Sequence, residues 1–300
     1  MKILITGSTG LLGRALVQRL VLSHNIVGIS RHAPAASDGG QHVRCDLTDP
    51  SATARLVQDI KPEVVIHTQA CSDVDRCEVA PDEAEALNVR TVEHLCRALV
   101  NDHPLLLAIS SDYVFDGAKG QPYTEMDEPR PLSVYGKTKL AGERIALAYP
   151  RAVVVRVSTL FGPGRQNFCD TIVQRLTRGE RVEAFADQTT SPTYTQDAAE
   201  GLHLLMEAIV RQGIERQPRL YHLTNAGWCT RVEFASTVAA IVGGDPALLR
   251  PIFMRDQRRP APRPACSALA SRQLSGVVGR ELRSWQEAVT AYLADQGWQN

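Results

Sequence analysis

The 300-residue sequence has no apolar run near the roughly 20 residues that a transmembrane helix needs, so we expect no membrane partner. It also has no excess of charge, because Lys+Arg and Asp+Glu both number 33. Non-specific nucleic-acid binding needs surplus cations against phosphates, and the balance therefore argues against a nucleic-acid partner. The start, Met1-Lys2-Ile3-Leu4-Ile5, runs directly into a glycine-rich turn. That arrangement is too short for a signal peptide and favours a cytoplasmic location.

Cysteines are scattered and odd in number, seven in all, so they do not indicate a disulfide framework. Cys71 and Cys77 are six residues apart, which fits neither a C-x-x-C zinc pattern nor a redox pair. We expect buried or incidental thiols in a reducing compartment. No motif argues for a catalytic metal.

Short apolar runs alternate with helical patterns through the first half of the chain. The predicted strands are "KILITG", "NIVGIS", "EVVIHT", "PLLLAISS" and "RAVVVRVS". The stretch "PDEAEALNVRTVEHLCRALV" predicts one long helix with Pro81 in its first turn. Apolar strands that alternate with helices indicate an α/β fold, a Rossmann-like doubly wound parallel sheet covered on both faces.

After about residue 160 the pattern loosens into helical segments, short strands and a Pro- and Arg-rich stretch, "RRPAPRPACSALA". We therefore predict a dinucleotide-binding domain over 1–160, with returning segments near 187–225. The remainder, 161–300, is predicted to form a smaller, mostly helical substrate-binding lobe.

Three glycines, Gly7, Gly10 and Gly13, lie between the first strand and the first helix. Glycines allow a tight turn and close approach of the backbone, and the helix start offers unpaired N–H groups to a diphosphate. The spacing is G-x-x-G-x-x-G rather than the usual G-x-G-x-x-G. A tight turn alone is the alternative, but it normally needs one glycine. We predict a dinucleotide site here, with Leu11 and Leu12 at the helix start.

The second predicted strand ends at Ser30, Arg31 and His32, without the acid that usually holds the ribose hydroxyl of NAD. A guanidinium can instead pair with a 2′-phosphate, so we predict NADPH, with NADH possible. The alternative is an arginine that is merely solvated on a loop. Asp46, with Leu47 beside it, is placed to meet the adenine, although Asp46 could equally cap the helix that begins near Pro50.

A strand ends at Ser111, and a later helix carries Tyr135 and Lys139 four residues apart on one face. The carboxyl ends of parallel strands face the ligand crevice, so Ser111 is expected beside that helix. Carbonyl reduction needs an acid for the forming alkoxide, and a phenol, whose ordinary pKa is about 10, needs a nearby cation. We predict Ser111, Tyr135 and Lys139 as catalytic residues.

Together these motifs resemble the extended short-chain dehydrogenase/reductases, and more narrowly the dTDP-4-dehydrorhamnose reductase family. The segments that carry the resemblance are "SSDYVFDG", "VYGKTKLAGE", "VDRCE", "LNVRTVEHL", "DQTTSPTY" and "RPACSALASRQL". They span nearly the whole chain. The resemblance implies NADPH-dependent reduction of the 4-keto group of a nucleotide-linked 6-deoxysugar.

The resemblance also implies residue roles. Tyr135 is expected to donate the proton, while Lys139 binds the nicotinamide ribose and acidifies Tyr135. Asp112 and Tyr113 are expected beside the sugar. Asn88 is expected to stabilise the active-site helix, and Arg263 is a possible phosphate partner or simply a solvated arginine.

Some segments depart from the family pattern. Thr68, Gln69 and Ala70 follow His67 beneath the expected cofactor, where the family commonly reads Asn-Ala-Ala-Ala. His67 is expected to be a buried histidine rather than a catalyst. The loop over 158–162 lacks the tryptophan that the family often has, and Tyr194 replaces smaller residues, so the exact sugar stays open.

Two other functions remain open. One is a sugar-nucleotide epimerase or dehydratase of the same superfamily, which would retain its cofactor tightly. The other is a non-catalytic NADP-binding regulatory subunit. The oligomeric state, monomer or homodimer, is equally open.

Overall fold

The computed structural model describes residues 1–31 and 40–298. Its strands are β1 (Lys2–Thr6), β2 (Asn25–Ser30), β3 (Gln41–Arg44), β4 (Val64–His67), β5 (Leu105–Ser111), β6 (Ala152–Val157), β7 (Leu160–Phe161), β8 (Val182–Phe185), β9 (Thr189–Thr190), β10 (Thr193–Tyr194), β11 (Leu220–Leu223), β12 (Cys229–Thr230) and β13 (Leu249–Ile252). Its α-helices are α1 (Leu11–Leu20), α2 (Pro50–Ile60), α3 (Val74–Val79), α4 (Pro81–Glu85), α5 (Thr91–Ala98), α6 (Val134–Ala148), α7 (Phe168–Thr177), α8 (Thr195–Gln212), α9 (Arg231–Val242), α10 (Arg272–Val278) and α11 (Trp285–Asp295). A π-helical segment covers Ala86–Arg90, and short 3-10 segments cover Asp112–Val114, Ile214–Arg216, Pro246–Leu248 and Met254–Asp256.

Seven strands form the central sheet in the order β11-β6-β5-β4-β1-β2-β3, and every neighbouring pair is parallel. This confirms the predicted Rossmann-like doubly wound fold. Strand β5 is buried along its whole length, as its continuous apolar run predicts.

Side chains alternate between two hydrophobic cores, one on each face of the sheet. Ile3 and Ile5 face the core that α1 and α8 cover, whereas Leu4 faces the core beneath α2 and α5. This alternation follows from the two-residue period of a strand. Both faces of the sheet are therefore covered by helices.

A third core lies in the second half of the chain, where α7, α9 and α11 pack around buried aromatic side chains such as Phe161 and Tyr292. The returning segment near 187–225 supplies α8 and β11, which pack with the main sheet. Helix α10 also packs against α8 and β11, although it lies within the predicted substrate lobe. Of the described helices, none has both the length and the apolar character needed to span a bilayer.

The single helix predicted from Pro81 onward is interrupted by the π segment. Within it, Asn88 Oδ1 accepts a 2.8 Å hydrogen bond from Cys71 N, and Asn88 Nδ2 donates a 3.0 Å bond to Thr138 Oγ1 of α6. A Cβ at Gly142 would lie 2.6 Å from Asn88 O, so only glycine fits that helix contact. The interruption lets one side chain join the chain after β4 to α6, in agreement with the stabilising role expected for Asn88.

Helix α6 is held in place at its start and its middle. Ser133 caps it by accepting a 3.2 Å bond from Gly136 N. Farther along, buried Glu143 accepts two hydrogen bonds from Arg156 of β6, at 2.9 and 2.7 Å. Paired bonds of this kind fix geometry, so the orientation of α6 on the sheet is well defined.

Candidate active site

The turn between β1 and α1 is packed too tightly for side chains. Gly7 has φ +67°, and Gly10 N donates a 2.8 Å hydrogen bond to Gly7 O. A Cβ at Gly13 would lie 2.2 Å from Gly7 O, and one at Gly7 would lie 2.8 Å from Gln69 N. Glycine is therefore required at both positions by the backbone itself, which brings the start of α1 close to the chain after β4.

A cleft lies over this turn and brings the predicted cofactor residues together. Its lining includes Gly7, Gly10, Leu11, Leu12, Gly13, Ser30, Arg31, Thr68, Gln69, Ala70, Tyr135 and Lys139. Sequence reasoning missed seven other lining residues, namely Thr9, Ser72, Ile109, Ser110, Val157, Leu160 and Arg165. His32 lies outside the described residues.

The residues at this cleft fit a dinucleotide. Gln69 Nε2 and Ser110 Oγ are buried and have no hydrogen-bond partner within the described ranges. Buried polar groups are rarely left unpaired, so these atoms mark places where a ligand would bond. The N-terminus of α1, with Gly10 as its N-cap and no side-chain cap, adds backbone N–H donors for a diphosphate.

Arg31 also lines a neighbouring recess together with Arg44, Asp46 and Arg76. Asp46 accepts hydrogen bonds from Thr48, which together with Arg31 lower the pKa of its carboxyl. The alternative that Asp46 caps α2 is wrong, because Asp49 accepts the bonds from the first turn.

Leu47 does not contact either opening through its side chain, contrary to the prediction. It is fully buried in the core beneath α2 and α5. Its carbonyl accepts bonds from His94 Nδ1 at 2.9 Å and from Thr53 Oγ1 at 3.3 Å. Successive side chains alternate between the exposed and the buried side here, and because Asp46 is exposed, the side chain of Leu47 points into the core.

Ser111, Tyr135 and Lys139 come together at the carboxyl end of β5. Tyr135 is hydrogen-bonded with Ser111, and Lys139 Nζ donates a 2.7 Å bond to Ile109 O. All three side chains are buried, and Tyr113 packs edge-on against Tyr135 with ring centroids 5.7 Å apart. The helix and the strand thus bring the three groups together, and the phenol of Tyr135 and the amine of Lys139 line the cleft.

The electrostatics differ from the expectation in one respect. Burial raises the pKa of Tyr135 above its ordinary value of 10, and it lowers the pKa of Lys139 to about 8. In the protein chain by itself, the effect of burial thus exceeds any acidification of Tyr135 by Lys139. The physical reason is that removing the phenolate from water outweighs the hydrogen bond with Ser111.

Asp112 lies at the centre of a hydroxyl cluster rather than open to the cleft. Its Oδ1 accepts a 2.9 Å bond from Ser111, and its Oδ2 accepts bonds of 2.8 Å from Ser158 and 2.6 Å from Ser267. The carboxyl is buried, and burial raises its pKa. This geometry favours positioning of Ser111 over the predicted contact with substrate. Nothing in the linear spacing indicated Ser158 or Ser267.

Arg263 forms a two-pronged ion pair with Asp75, with N···O distances of 2.6 and 2.8 Å. The pair lowers the pKa of Asp75 and fixes the Pro-rich loop against the start of α3. Arg263 also lines an opening with Arg258, Arg259 and Gln188, and Gln188 Nε2 lies 3.4 Å from Tyr113 Oη. The guanidinium of Arg263 is therefore ion-paired with a carboxylate rather than simply solvated.

Arg231, which sequence reasoning missed, is a further cation near the reactive groups. Its guanidinium lies 5.4 Å from the centre of the Phe168 ring and is electrostatically coupled to Tyr113 and Asp112. It lines a pocket that shares Leu11, Leu160 and other residues with the cofactor cleft. The sequence indicated only that Arg231 directly follows Thr230, which caps helix α9, and this gave no sign of a role near the reactive groups.

The residues that depart from the family pattern differ in how close they lie to the site. His67 is buried, bonds Thr6 Oγ1 through Nδ1 at 2.8 Å, and has its pKa lowered to about 3 by burial, in agreement with a neutral structural histidine. Tyr194 is also buried, but in the third core, where its hydroxyl bonds Asp295. Tyr194 therefore has no direct bearing on substrate choice. Thr159 lines the pocket beside Arg231 and has φ +38°, an uncommon conformation for threonine.

All seven cysteines are free thiols, as predicted. The structure nevertheless brings Cys71 and Cys77 together, with their Sγ atoms 3.5 Å apart. Both belong to the small apolar cluster that contains Tyr135. Their spacing in the sequence did not indicate this proximity.

The chain is similar to known proteins along nearly its whole length. The family model for the RmlD substrate binding domain matches residues 1–297. A dTDP-4-dehydrorhamnose reductase of Mycobacterium tuberculosis is 36% identical over 98% of this chain and 92% of its own length. A probable dTDP-4,6-dihydroxy-2-methyloxan-3-one 4-ketoreductase of Streptomyces antibioticus is 35% identical over 98% and 95%.

A solved structure agrees with the fold. The dTDP-4-dehydrorhamnose reductase of Bacillus anthracis, crystallised with NADP, superposes with a TM-score of 0.86 at 26% identity, covering 98% of this chain and 99% of the other. The predicted resemblance and the predicted oxidoreductase class are thereby confirmed. The chain belongs to the RmlD substrate binding domain family, whose named members include nicotinamide-dependent sugar-nucleotide reductases.

Proposed function

We propose that this protein uses NADPH to reduce the 4-keto group of a nucleotide-linked 6-deoxysugar, with Tyr135 as the proton donor. The observation that carries the proposal is the meeting of Ser111 with Tyr135 and Lys139, since Tyr135 and Lys139 line a cleft floored by the glycine turn and Ser111 is hydrogen-bonded with Tyr135. The similar proteins are named for reductions of dTDP-linked keto sugars, so dTDP-4-dehydrorhamnose is the first substrate to test.

When bound, the nicotinamide supplies a hydride to the carbonyl carbon. On substrate binding, Ser111 turns its one hydroxyl hydrogen from Asp112 to the carbonyl oxygen and so orients the carbonyl. Tyr135 gives its phenolic proton to the same oxygen. Because burial raises the pKa of Tyr135, the phenol keeps its proton at neutral pH until the developing alkoxide, a stronger base, takes it. Lys139, charged below about pH 8, then stabilises the phenolate until solvent protons replace the one transferred.

The preference for NADPH rests on Arg31 and Arg44. Both are exposed at the recess beyond the end of β2, and that recess extends from the cofactor cleft. A 2′-phosphate there would meet two guanidinium groups, whereas an unphosphorylated ribose would gain little from them.

The nucleotide diphosphate of the substrate is assigned to the second lobe. Arg258 and Arg259 are exposed at the opening that Arg263 also lines. Arg263 is held by Asp75, so it shapes that opening and adds positive potential, while Arg258 and Arg259 are positioned to contact phosphate oxygens.

The test is the oxidation of NADPH, followed by absorbance, on adding dTDP-4-dehydrorhamnose to the purified protein. Tyr135→Phe should lower kcat by about 10²–10⁴-fold while NADPH binding, measured by fluorescence, is retained. If Tyr135→Phe kept full turnover, the assigned proton donor would be wrong. If the native protein bound NADPH but reduced no keto sugar, the regulatory-subunit alternative would replace this proposal.

A further inference from the structure

Two histidines and a glutamate meet at the edge of the sheet opposite the active site. His24 follows α1, directly before β2, and its backbone N–H bonds Leu20 O at 2.9 Å. His203 and Glu207 are four residues apart on α8, so both project from one face of that helix. The cluster therefore lies at the amino ends of the strands, whereas Ser111 stands at a carboxyl end.

The distances suit a metal ion. The ligand atoms of the three side chains lie within 4.8 Å of one another. His24 Nε2 is 3.3 Å and His203 Nε2 is 3.8 Å from Glu207 Oε1. A tetrahedral zinc ion with bonds of about 2.0–2.1 Å keeps its ligand atoms about 3.3 Å apart. Glu207 is 45% exposed, so its side chain has room for the small adjustment needed.

Three of the four ring nitrogens of His24 and His203 are buried without a hydrogen-bond partner among the described residues. The side chain of His24 is only 8% exposed, and neither of its ring nitrogens has a hydrogen-bond partner in the described parts of the chain. Nδ1 of His203, whose side chain is 13% exposed, is likewise unpartnered there. Burial lowers the pKa of both rings, which keeps them in the neutral form that ligates metals. Unpaired buried nitrogens call for a ligand.

The surrounding charges are mixed and largely compensated. Arg19 and the terminal amino group of Met1 oppose a cation, while Glu63 and Glu200 favour one. Arg19 is ion-paired with Glu200, which reduces its repulsion of a bound ion. Glu207 supplies the negative charge that the site itself needs.

We propose that His24, His203 and Glu207 bind one Zn²⁺ ion, with water as the fourth ligand. Imidazole and carboxylate are ligands that zinc accepts, and three protein ligands leave the fourth position to solvent. The ion would link the segment that follows α1 to helix α8. Helices α1 and α8 already pack against each other. Since α1 begins at the glycine turn, the ion would stabilise the helix that carries the dinucleotide site.

Equilibrium dialysis of the untagged, metal-stripped protein against Zn²⁺ tests this directly. We expect one ion per chain, and at least about tenfold weaker binding in His24→Ala and in His203→Ala. The matched control is His103→Ala, an exposed histidine outside the cluster, which should leave binding unchanged. Retained NADPH binding by each variant shows that it is folded.

Two further readouts separate this site from metal binding by the cysteines. Zn²⁺ should raise the Tm of the native protein by a few degrees but not that of the double variant His24→Ala/His203→Ala. Co²⁺ substituted for Zn²⁺ should show no thiolate charge-transfer absorption. A thiolate band, no binding by the native protein, or equal binding by the double variant would overturn the proposal.

Discussion

Ser111 Oγ donates its hydrogen bond to Asp112 Oδ1 at 2.9 Å, so the hydroxyl assigned to the ketone is itself oriented by the neighbouring carboxylate. Ser158 and Ser267 donate to the other oxygen of Asp112, and they come from two distant parts of the chain. A buried carboxylate that accepts three hydroxyl bonds is stiff. The end of β5 is thus joined to both lobes through one side chain.

Asp112→Asn should lower kcat by about 10–100-fold with little change in KM, because the amide cannot accept all three hydroxyl bonds and Ser111 loses its orientation. Steady-state kinetics with the keto-sugar substrate measure both constants. A rise in KM at unchanged kcat would instead mean that Asp112 contacts the sugar, as the sequence predicted. The Kd for NADPH serves as the control and should not change.

Arg31→Ala should weaken NADPH binding by about tenfold or more and leave NADH binding nearly unchanged, because it removes a charged partner of the 2′-phosphate. Fluorescence titrations with both cofactors measure the ratio. Arg151→Ala, at an exposed turn far along the chain, is the control and should alter neither. Equal losses for NADPH and NADH would contradict the assignment.

Gly13→Ala should abolish dinucleotide binding and lower the Tm by several degrees, because its Cβ would lie 2.2 Å from Gly7 O and the turn would have to open. Gly276→Ala in α10 is a matched control, since its Cβ would meet nothing within 4 Å. That change should stabilise the protein slightly, by about 0.4–1 kcal/mol. Intact NADPH binding by Gly13→Ala would show that the turn is looser than described.

The free energy of unfolding should decrease as the pH falls below about 6.5, because buried His67 and His222 have their pKa values lowered to about 3. Between those values the unfolded chain binds a proton at each histidine and the folded chain does not. Each histidine then removes about 1.4 kcal/mol of stability per pH unit. Urea unfolding at pH 6.5 and 5 measures the slope.

His222→Gln should reduce the pH dependence of the free energy of unfolding by the contribution of one histidine, since glutamine does not titrate. His103→Gln, at an exposed site, should leave the slope unchanged. An unaltered slope in His222→Gln would mean that His222 gains its proton without unfolding.

Local patterns in the sequence were sufficient for much of the site. The glycine turn, the strand that ends at Ser111 and the helix that carries Tyr135 each depend on residues within a few positions, and each was predicted correctly. The lining of the cofactor cleft followed, because the carboxyl ends of parallel strands share one edge. The prediction that Leu47 contacts the cofactor was wrong, because the alternation of side chains after β3 turns the Leu47 side chain into the core.

The contacts that sequence reasoning missed join residues far apart in the chain. Arg263 meets Asp75, Ser267 meets Asp112, and His24 meets Glu207, and no periodicity links such pairs. The tertiary structure also reversed the expected pKa change of Tyr135, because its burial was not visible in a four-residue spacing.

The sequence by itself determined the parallel sheet, the glycine turn and the residue types of the reactive centre, because strand, turn and helix preferences are short-range. Only the tertiary structure decided which side chains hold those groups and how strongly each is desolvated. Burial and long-range hydrogen bonds arise when distant segments pack together, and they set the pKa values and the orientation of Ser111.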